Sequence, residues 1–338
     1  MASQVYRVTN EAEYRKAGPM DLIELQPVPG GHPLFLLKWL VETLVYAIAR
    51  HEFIHLSGPT GSAKSSLLEA LFLVPDNFQS ICTALGLPVL PLKLYPVEMA
   101  TYEAPGELYQ RRALKEGTTY DELSKLVLAI DDAARKRRDC YPLIWLREMG
   151  RVHSSSVQGG LLNLMTRNDI ILPDGRRIAG LGIAWVADSN YQAEQDSTHT
   201  LVTFDDALKR RFSVNLTLDY LTAEQEVQVL QHLLADGRPV GQAENDLIMR
   251  VVKLGHVVRR QRAEGNLQSL CPPTIYGYLA FLRMAQSMPH MSPHQVSGAT
   301  LLGNAGVEDQ KLIPGVLNEA FGIPVAEDSE ITLDGNLF

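Results

Sequence analysis

Residues 58–65 read Gly58-Pro59-Thr60-Gly61-Ser62-Ala63-Lys64-Ser65, a glycine-rich turn between an apolar run at 51–56 and a second apolar run that opens at Ser65. Strand, loop and helix in that order form a cradle for phosphate: backbone N–H groups and a helix N-terminus face the anion, and a lysine reaches its outer oxygens. Nucleoside triphosphate is therefore the first ligand to consider. The expected ATP-binding set is Gly58, Pro59, Thr60, Gly61, Ser62, Ala63, Lys64, Ser65 and Ser66, with the Ser65 hydroxyl as the Mg²⁺ ligand. Ala63 stands where the pattern G-x-x-x-x-G-K-[ST] has its second glycine. A methyl group is the smallest side chain that could replace it, so a tolerated variant is expected. A chance glycine-rich turn before an ordinary helix is the competing explanation, and the flanking strand and helix argue against it.

At 338 residues the chain exceeds what one core usually holds, about 250–300 residues, and two domains are expected. A net charge of -8 provides no global positive field for nucleic acid or anionic lipid. Cys82, Cys140 and Cys271 are far apart and form no C-x-x-C pair, against structural zinc or a disulfide framework. Residues 1–20 are polar and carry Glu11, Glu13, Arg15 and Lys16 without an apolar signal region, so a cytoplasmic location is expected. The most apolar stretch, residues 34–49, is interrupted by Lys38 and Glu42 and falls short of the roughly 20 residues that span a bilayer. It reads as a buried helix, and no membrane partner is expected.

Beyond the loop, short apolar runs at 89–94, 142–146, 181–187 and 212–217 alternate with helical spacing. With residues 51–56 they predict an α/β fold, a five-stranded parallel sheet with helices on both faces. Residues 170–178 carry Pro173-Asp174-Gly175 between apolar arms, a hairpin signal. From about Thr222 the spacing is helical throughout, with segments at 223–234, 243–262 and 275–286, which predicts a small all-helical domain. The expected organisation is an N-terminal segment at 1–32, the nucleotide-binding domain at 33–220, a helical lid at 221–300 and a tail at 301–338.

Hydrolysis of ATP in such a fold usually draws on two acids at the end of a strand, one holding Mg²⁺ through water and one polarising the attacking water. The run 142–146 continues into Arg147-Glu148, which places Glu148 as the catalytic carboxylate and puts a cation, Arg147, where the metal-associated acid is expected. A rival, Ala129-Ile130-Asp131-Asp132, also ends in two acids, but residues 120–138 have helical spacing and the basic run Arg135-Lys136-Arg137-Arg138 suits a helix C-terminus.

The chain here resembles the MoxR-type AAA+ ATPases, in their NorQ and CbbQ branch, over residues 33–286. In that family the acidic strand leads to Asn-Arg-Ala, a helix reading V-Q-x-x-L-L-x-x-M and a hairpin. Here Glu148-Met149-Gly150-Arg151-Val152 leads to Val157-Gln158-Gly159-Gly160-Leu161-Leu162-Asn163-Leu164-Met165 and the Pro173-Asp174-Gly175 turn. The resemblance implies a sensor at Asn190, in Ala187-Asp188-Ser189-Asn190, and an arginine finger in Ala207-Leu208-Lys209-Arg210-Arg211-Phe212, at Arg211 with Arg210 as its neighbour. Ala-Lys-Ser loops are similar to those of minichromosome-maintenance helicases. Two features depart from the family: Arg147, and a lid segment, Cys271-Pro272-Pro273-Thr274, without the expected Ser-x-Arg arginine.

What the resemblance implies is an ATP- and Mg²⁺-dependent ring, a hexamer, that remodels or activates a protein partner, such partners often carrying a von Willebrand factor A domain. Arg147 and the lid segment also admit a nucleotide-binding scaffold subunit with little hydrolysis. A nucleic-acid translocase is the third reading, drawn from basic clusters at 135–138 and 259–262 that more often face solvent.

Overall fold

The computed structural model describes residues 5–115, 117–152, 154–165, 169–172, 175–190, 205–235 and 240–322. The chain divides into two compact units, Met1–Tyr220 and Leu221–Phe338.

The first unit opens with β1 (Val5–Arg7), the short α1 (Glu11–Tyr14), β2 (Leu22–Leu25) and β3 (Leu34–Leu37), followed by α2 (Lys38–Ala49). β1 and β2 run parallel and β2 pairs antiparallel with β3, in the order β1-β2-β3. The apolar stretch expected as one helix at 34–49 therefore splits: its first four residues are a strand, and the helix begins at Lys38. Pairing of residues 34–37 with β2 accounts for the strand, and at the helix start the buried Lys38 Nζ donates to the carbonyl oxygens of Tyr14 and Ala17 at 3.0 and 2.7 Å. Residues 5–25 are thus built into the unit rather than forming a separate segment.

The central sheet collects β4 (Phe53–Gly58), then, past α3 (Lys64–Leu73) and α4 (Pro75–Ala84), β5 (Leu92–Glu98). An antiparallel hairpin, β6 (Gln110–Lys115) and β7 (Thr118–Leu123), precedes α5 (Lys125–Lys136), β8 (Tyr141–Arg147) and α6 (Ser155–Leu164). A second hairpin, β9 (Asp169–Ile171) and β10 (Arg177–Ala179), is the one expected at 170–178; Pro173 and Asp174 lie outside the described residues. β11 (Ala184–Asn190), α7 (Asp206–Lys209) and β12 (Val214–Thr217) complete the unit. The central order is β12-β4-β11-β8-β5, all parallel, as the sequence predicts.

Its strands are apolar on both faces because both are covered. One face packs Ile54, Leu56, Trp145 and Val186 against α2, α3 and α4; the other packs Phe53, Ile144, Leu146 and Trp185 against α5 and α6. Each fully buried Leu, Ile or Val contributes about 1.5–3 kcal/mol.

The second unit is helical over its described residues: α8 (Ala223–Ala235), α9 (Gln242–Ala263), α10 (Ile275–Ser287), α11 (Pro293–Ser297), α12 (Val307–Gln310) and α13 (Ile313–Phe321). Gly255 lies under Tyr278, where a Cβ would sit 1.6 Å from the phenol oxygen, so α9 and α10 pack closely there. Glu226, 2% exposed, accepts from Arg259 at 2.7 Å and pairs with His256 at 3.0 Å. The tail expected from 301 begins inside this core instead: Leu301, Leu302, Val316, Leu317 and Phe321 are buried in it. Residues 323–338 lie outside the described ones. Among the described residues no helix is long and apolar enough to cross a membrane.

Candidate nucleotide-binding site

The C-terminal edge of the central sheet opens into a cleft of about 520 Å³, lined among others by Thr60, Gly61, Lys64, Ser65, Glu148 and Asn190. β4 delivers the loop to this edge. Gly58 ends the strand so close to the next chain segment that a Cβ would lie 2.0 Å from the Leu218 carbonyl oxygen. Gly61 takes φ 80°, and Ala63 takes φ 67°, ψ 21°. The second glycine of the pattern is thus a conformational requirement, and Ala63 meets it in a left-handed geometry that disfavours a side chain.

α3 then begins at Lys64 without a side-chain cap on its first-turn N–H groups. These are donors that a phosphate satisfies, with the helix dipole adding to the attraction. Lys64, 7% exposed, points its Nζ into the loop and donates to the carbonyl oxygens of Gly58 and Pro59, both at 2.8 Å. The loop therefore holds its cation against its own carbonyl oxygens beside the start of α3. Tyr220 braces the loop from outside, its hydroxyl donating to the Thr60 carbonyl oxygen at 2.6 Å.

Of the expected ATP-binding residues, Thr60, Gly61, Ala63, Lys64, Ser65 and Ser66 line the cleft, while Gly58, Pro59 and the buried Ser62 shape it from behind. Ser65 and Asn190 share the cavity with Glu148. Asn190 stands at the end of β11 opposite Gly58. Glu148 follows β8 in a left-handed backbone conformation, φ 52°, ψ 49°. Such geometry in a non-glycine residue costs about 1–3 kcal/mol and persists only where its surroundings enforce it. Here Asp188 enforces it, accepting the Glu148 backbone N–H at 2.8 Å, while the Glu148 carboxylate accepts from Arg151 at 3.2 Å. Arg210 and Arg211 are exposed and do not line the cleft; their neighbour Lys209 does.

The rival acid pair falls away from the site. Asp131 and Asp132 lie on α5, where Asp132 accepts from Lys136, Tyr95 and Lys93, contacts that hold its carboxyl well below the usual range. Asp131 pairs with Arg135 at 2.7 Å. In the second unit, Thr274 caps α10, its hydroxyl accepting the Gly277 N–H.

Residues that the motifs do not single out also belong to the cleft, among them Arg151, His55 and Asp188. His55 Nε2 lies 2.8 Å from Ser189 Oγ and ties the loop strand to β11. Burial pushes its imidazole below the ordinary value, with Asn215 opposing and Lys209 adding. Asp188 is 4% exposed, and burial raises its carboxyl, opposed by the Glu148 N–H, Lys64 and Arg147. Its sequence signal is a single acid inside the apolar run 183–187 and its continuation.

No protein-family model and no curated protein matches the chain. Among solved structures it is similar to a Cytophaga hutchinsonii protein assigned as an ATPase, at 15% identity over 83% of this chain and 89% of that one, with TM-score 0.37. It is also similar to NtrX from Brucella abortus, at 13% identity and TM-score 0.41; the match covers 86% of this chain and 55% of that one, so the chain spans about half of NtrX.

Proposed function

We propose that this chain is an ATP-binding AAA+ ATPase of the MoxR type, which assembles into a ring, a hexamer, and uses ATP binding and hydrolysis to remodel or activate a protein partner. One observation carries the ATPase assignment: the uncapped N-terminus of α3, Lys64 and Ser65 open into the same cleft as Glu148 and Asn190. The donors at the start of α3 and Lys64 bind the phosphates. Glu148 accepts a proton from the attacking water, and Asn190 orients that water. Ser65 would hold Mg²⁺, which would supply neutralisation of the phosphate charge. Arg211, with Arg210 beside it, is exposed and outside its own cleft, which suits a finger directed at the nucleotide of a neighbouring subunit. A protein partner with a von Willebrand factor A domain follows from the family resemblance.

A second reading, a nucleotide-binding scaffold subunit with little turnover, is favoured by Arg147 at the metal-side position of β8. Steady-state ATP hydrolysis with Lys64→Ala and Glu148→Gln as controls, and with particle mass measured in the same samples, separates the two. Turnover lost in both variants, with ATP-dependent assembly, is the expected result. ATP binding without turnover above the controls would replace the motor with the scaffold.

A further inference from the structure

The position that should carry a metal-side carboxylate carries Arg147, and the structure shows where that cation goes. Arg147 lines the cleft and donates to Glu98 on β5 at 2.6 Å, with its guanidinium 4.6 Å from the centre of the Trp145 ring. β5 is the edge strand, on the side of β8 away from the loop. The Arg147 charge is thus compensated at the far side of its strand.

On the near side stands β11, between β8 and the loop strand β4. β11 and β8 run parallel with Ala187 opposite Leu146, so the next residue on each, Asp188 and Arg147, stand level. Alternation puts Asp188 on the same sheet face as Val186, the face that packs against α3. Asp188 is also opposite Leu56 on β4, two residues before the loop begins. The aspartate therefore offers a carboxylate at the level of Arg147, displaced sideways by one strand spacing, about 4.8 Å, toward the phosphate loop. It lines the cleft with Ser65 and Lys64, one oxygen accepting the Glu148 N–H.

Resting on the ATPase reading above, the geometry points to Asp188 as the carboxylate that holds Mg²⁺ of the nucleotide complex through the ion's water shell, in place of the acid missing at Arg147. Ser65 and Asp188 fit this ion. Mg²⁺ typically takes one or two protein ligands and completes its shell with waters and substrate phosphates. Among the described residues no group of three His, Cys, Asp or Glu forms an all-protein cage.

The test is nucleotide affinity, with a fluorescent ATP analogue, in EDTA and in Mg²⁺, for wild type, Asp188→Asn, Arg147→Ala and Lys64→Ala. The amide oxygen that Asp188→Asn introduces keeps an acceptor for the Glu148 N–H. Asp188→Asn is expected to bind the analogue in EDTA within about twofold of wild type and to lose about 10–100-fold in Mg²⁺ affinity, the range for losing an outer-shell partner. Arg147→Ala is expected to keep the Mg²⁺ effect. An Mg²⁺ effect retained in Asp188→Asn, or affinity lost equally with and without Mg²⁺, would overturn the assignment and leave Asp188 as a support for Glu148. Wild type that binds no analogue in either buffer would instead defeat the ATPase reading, and the assignment with it. Should Asp188→Asn fail to fold, wild type labelled with ¹³C at its aspartate carboxylates and loaded with Mn²⁺ and ATP reads the contact directly. Asp188 is the one aspartate lining the cleft among the described residues, so a ¹³C hyperfine coupling supports the assignment and its absence refutes it.

Discussion

Ala63 is a test of why the pattern of the loop at 58–65 has glycine at this position. Its φ of 67° and ψ of 21° place an L residue in the left-handed region, at a cost of about 1–2 kcal/mol. Ala63→Gly removes that cost from the folded state but frees the unfolded chain, which returns about 0.4–1 kcal/mol. The expected net is a stabilisation between about zero and 1.5 kcal/mol. Ala63→Val adds a branched Cβ at a left-handed position and is expected to lose at least about 1 kcal/mol relative to alanine. All three tryptophans, Trp39, Trp145 and Trp185, lie in the first unit, so their fluorescence during urea unfolding follows the unit that carries the loop. At a typical slope of about 1–3 kcal/mol per molar urea, 1 kcal/mol is a midpoint shift of about 0.3–1 M. Glycine should match or exceed alanine, and valine should fall below both. A valine variant with the wild-type midpoint, or a glycine variant displaced downward by such a shift, would refute the conformational account.

Three further outcomes follow from single contacts. Gly58→Ala places a Cβ 2.0 Å from the Leu218 carbonyl oxygen, backbone that cannot swing aside; loss of nucleotide binding in calorimetry and a destabilisation of about 1–3 kcal/mol or more are expected, and wild-type binding would contradict the close approach. The depressed His55 means that the unfolded chain takes up a proton first as pH falls below 6.5, so the first unit is at full stability above that value and loses it as pH falls through the folded pKa. Urea midpoints measured from pH 7.5 to 5.5 should decline with a slope that His55→Gln reduces, and an unchanged slope would remove His55 as the cause. In the second unit, Glu226→Ala takes the carboxylate from Arg259 and leaves its guanidinium the Pro273 carbonyl oxygen; a destabilisation of about 3–5 kcal/mol is expected in scanning calorimetry, and an unchanged transition would remove this pair as a support.

The parts of this fold legible in the sequence are those whose information is local. Strand, loop and helix around 58–65 follow from turn residues and apolar runs a few positions apart, and the helices of the second unit follow from three- and four-residue spacing. Residues 34–37 are ambiguous on that logic, because a short apolar run suits a buried strand as well as a helix; antiparallel pairing with residues 22–25 decides it. The hairpin Gln110–Lys115 and Thr118–Leu123 lacks an apolar alternation, so helical spacing from 120 to 138 absorbs its second arm.

The site divides along the same line, and Arg147 shows why. On the reading proposed above, its neighbours in sequence put a cation in the place of an acid, which weighs against metal binding. Its charge partner is Glu98, 49 residues away, and the carboxylate that stands level with it is 41 positions later in the chain. Both relations exist only after the strand order and register are set, since one step of register would turn Asp188 onto the other face of the sheet. A motif scanned along one strand therefore registers a loss at 147, whereas the sheet offers the same charge type one strand closer to the phosphate loop. The chemistry of such an edge is held by the row of strand ends together, and a substitution at one strand end is read correctly only against its lateral neighbours.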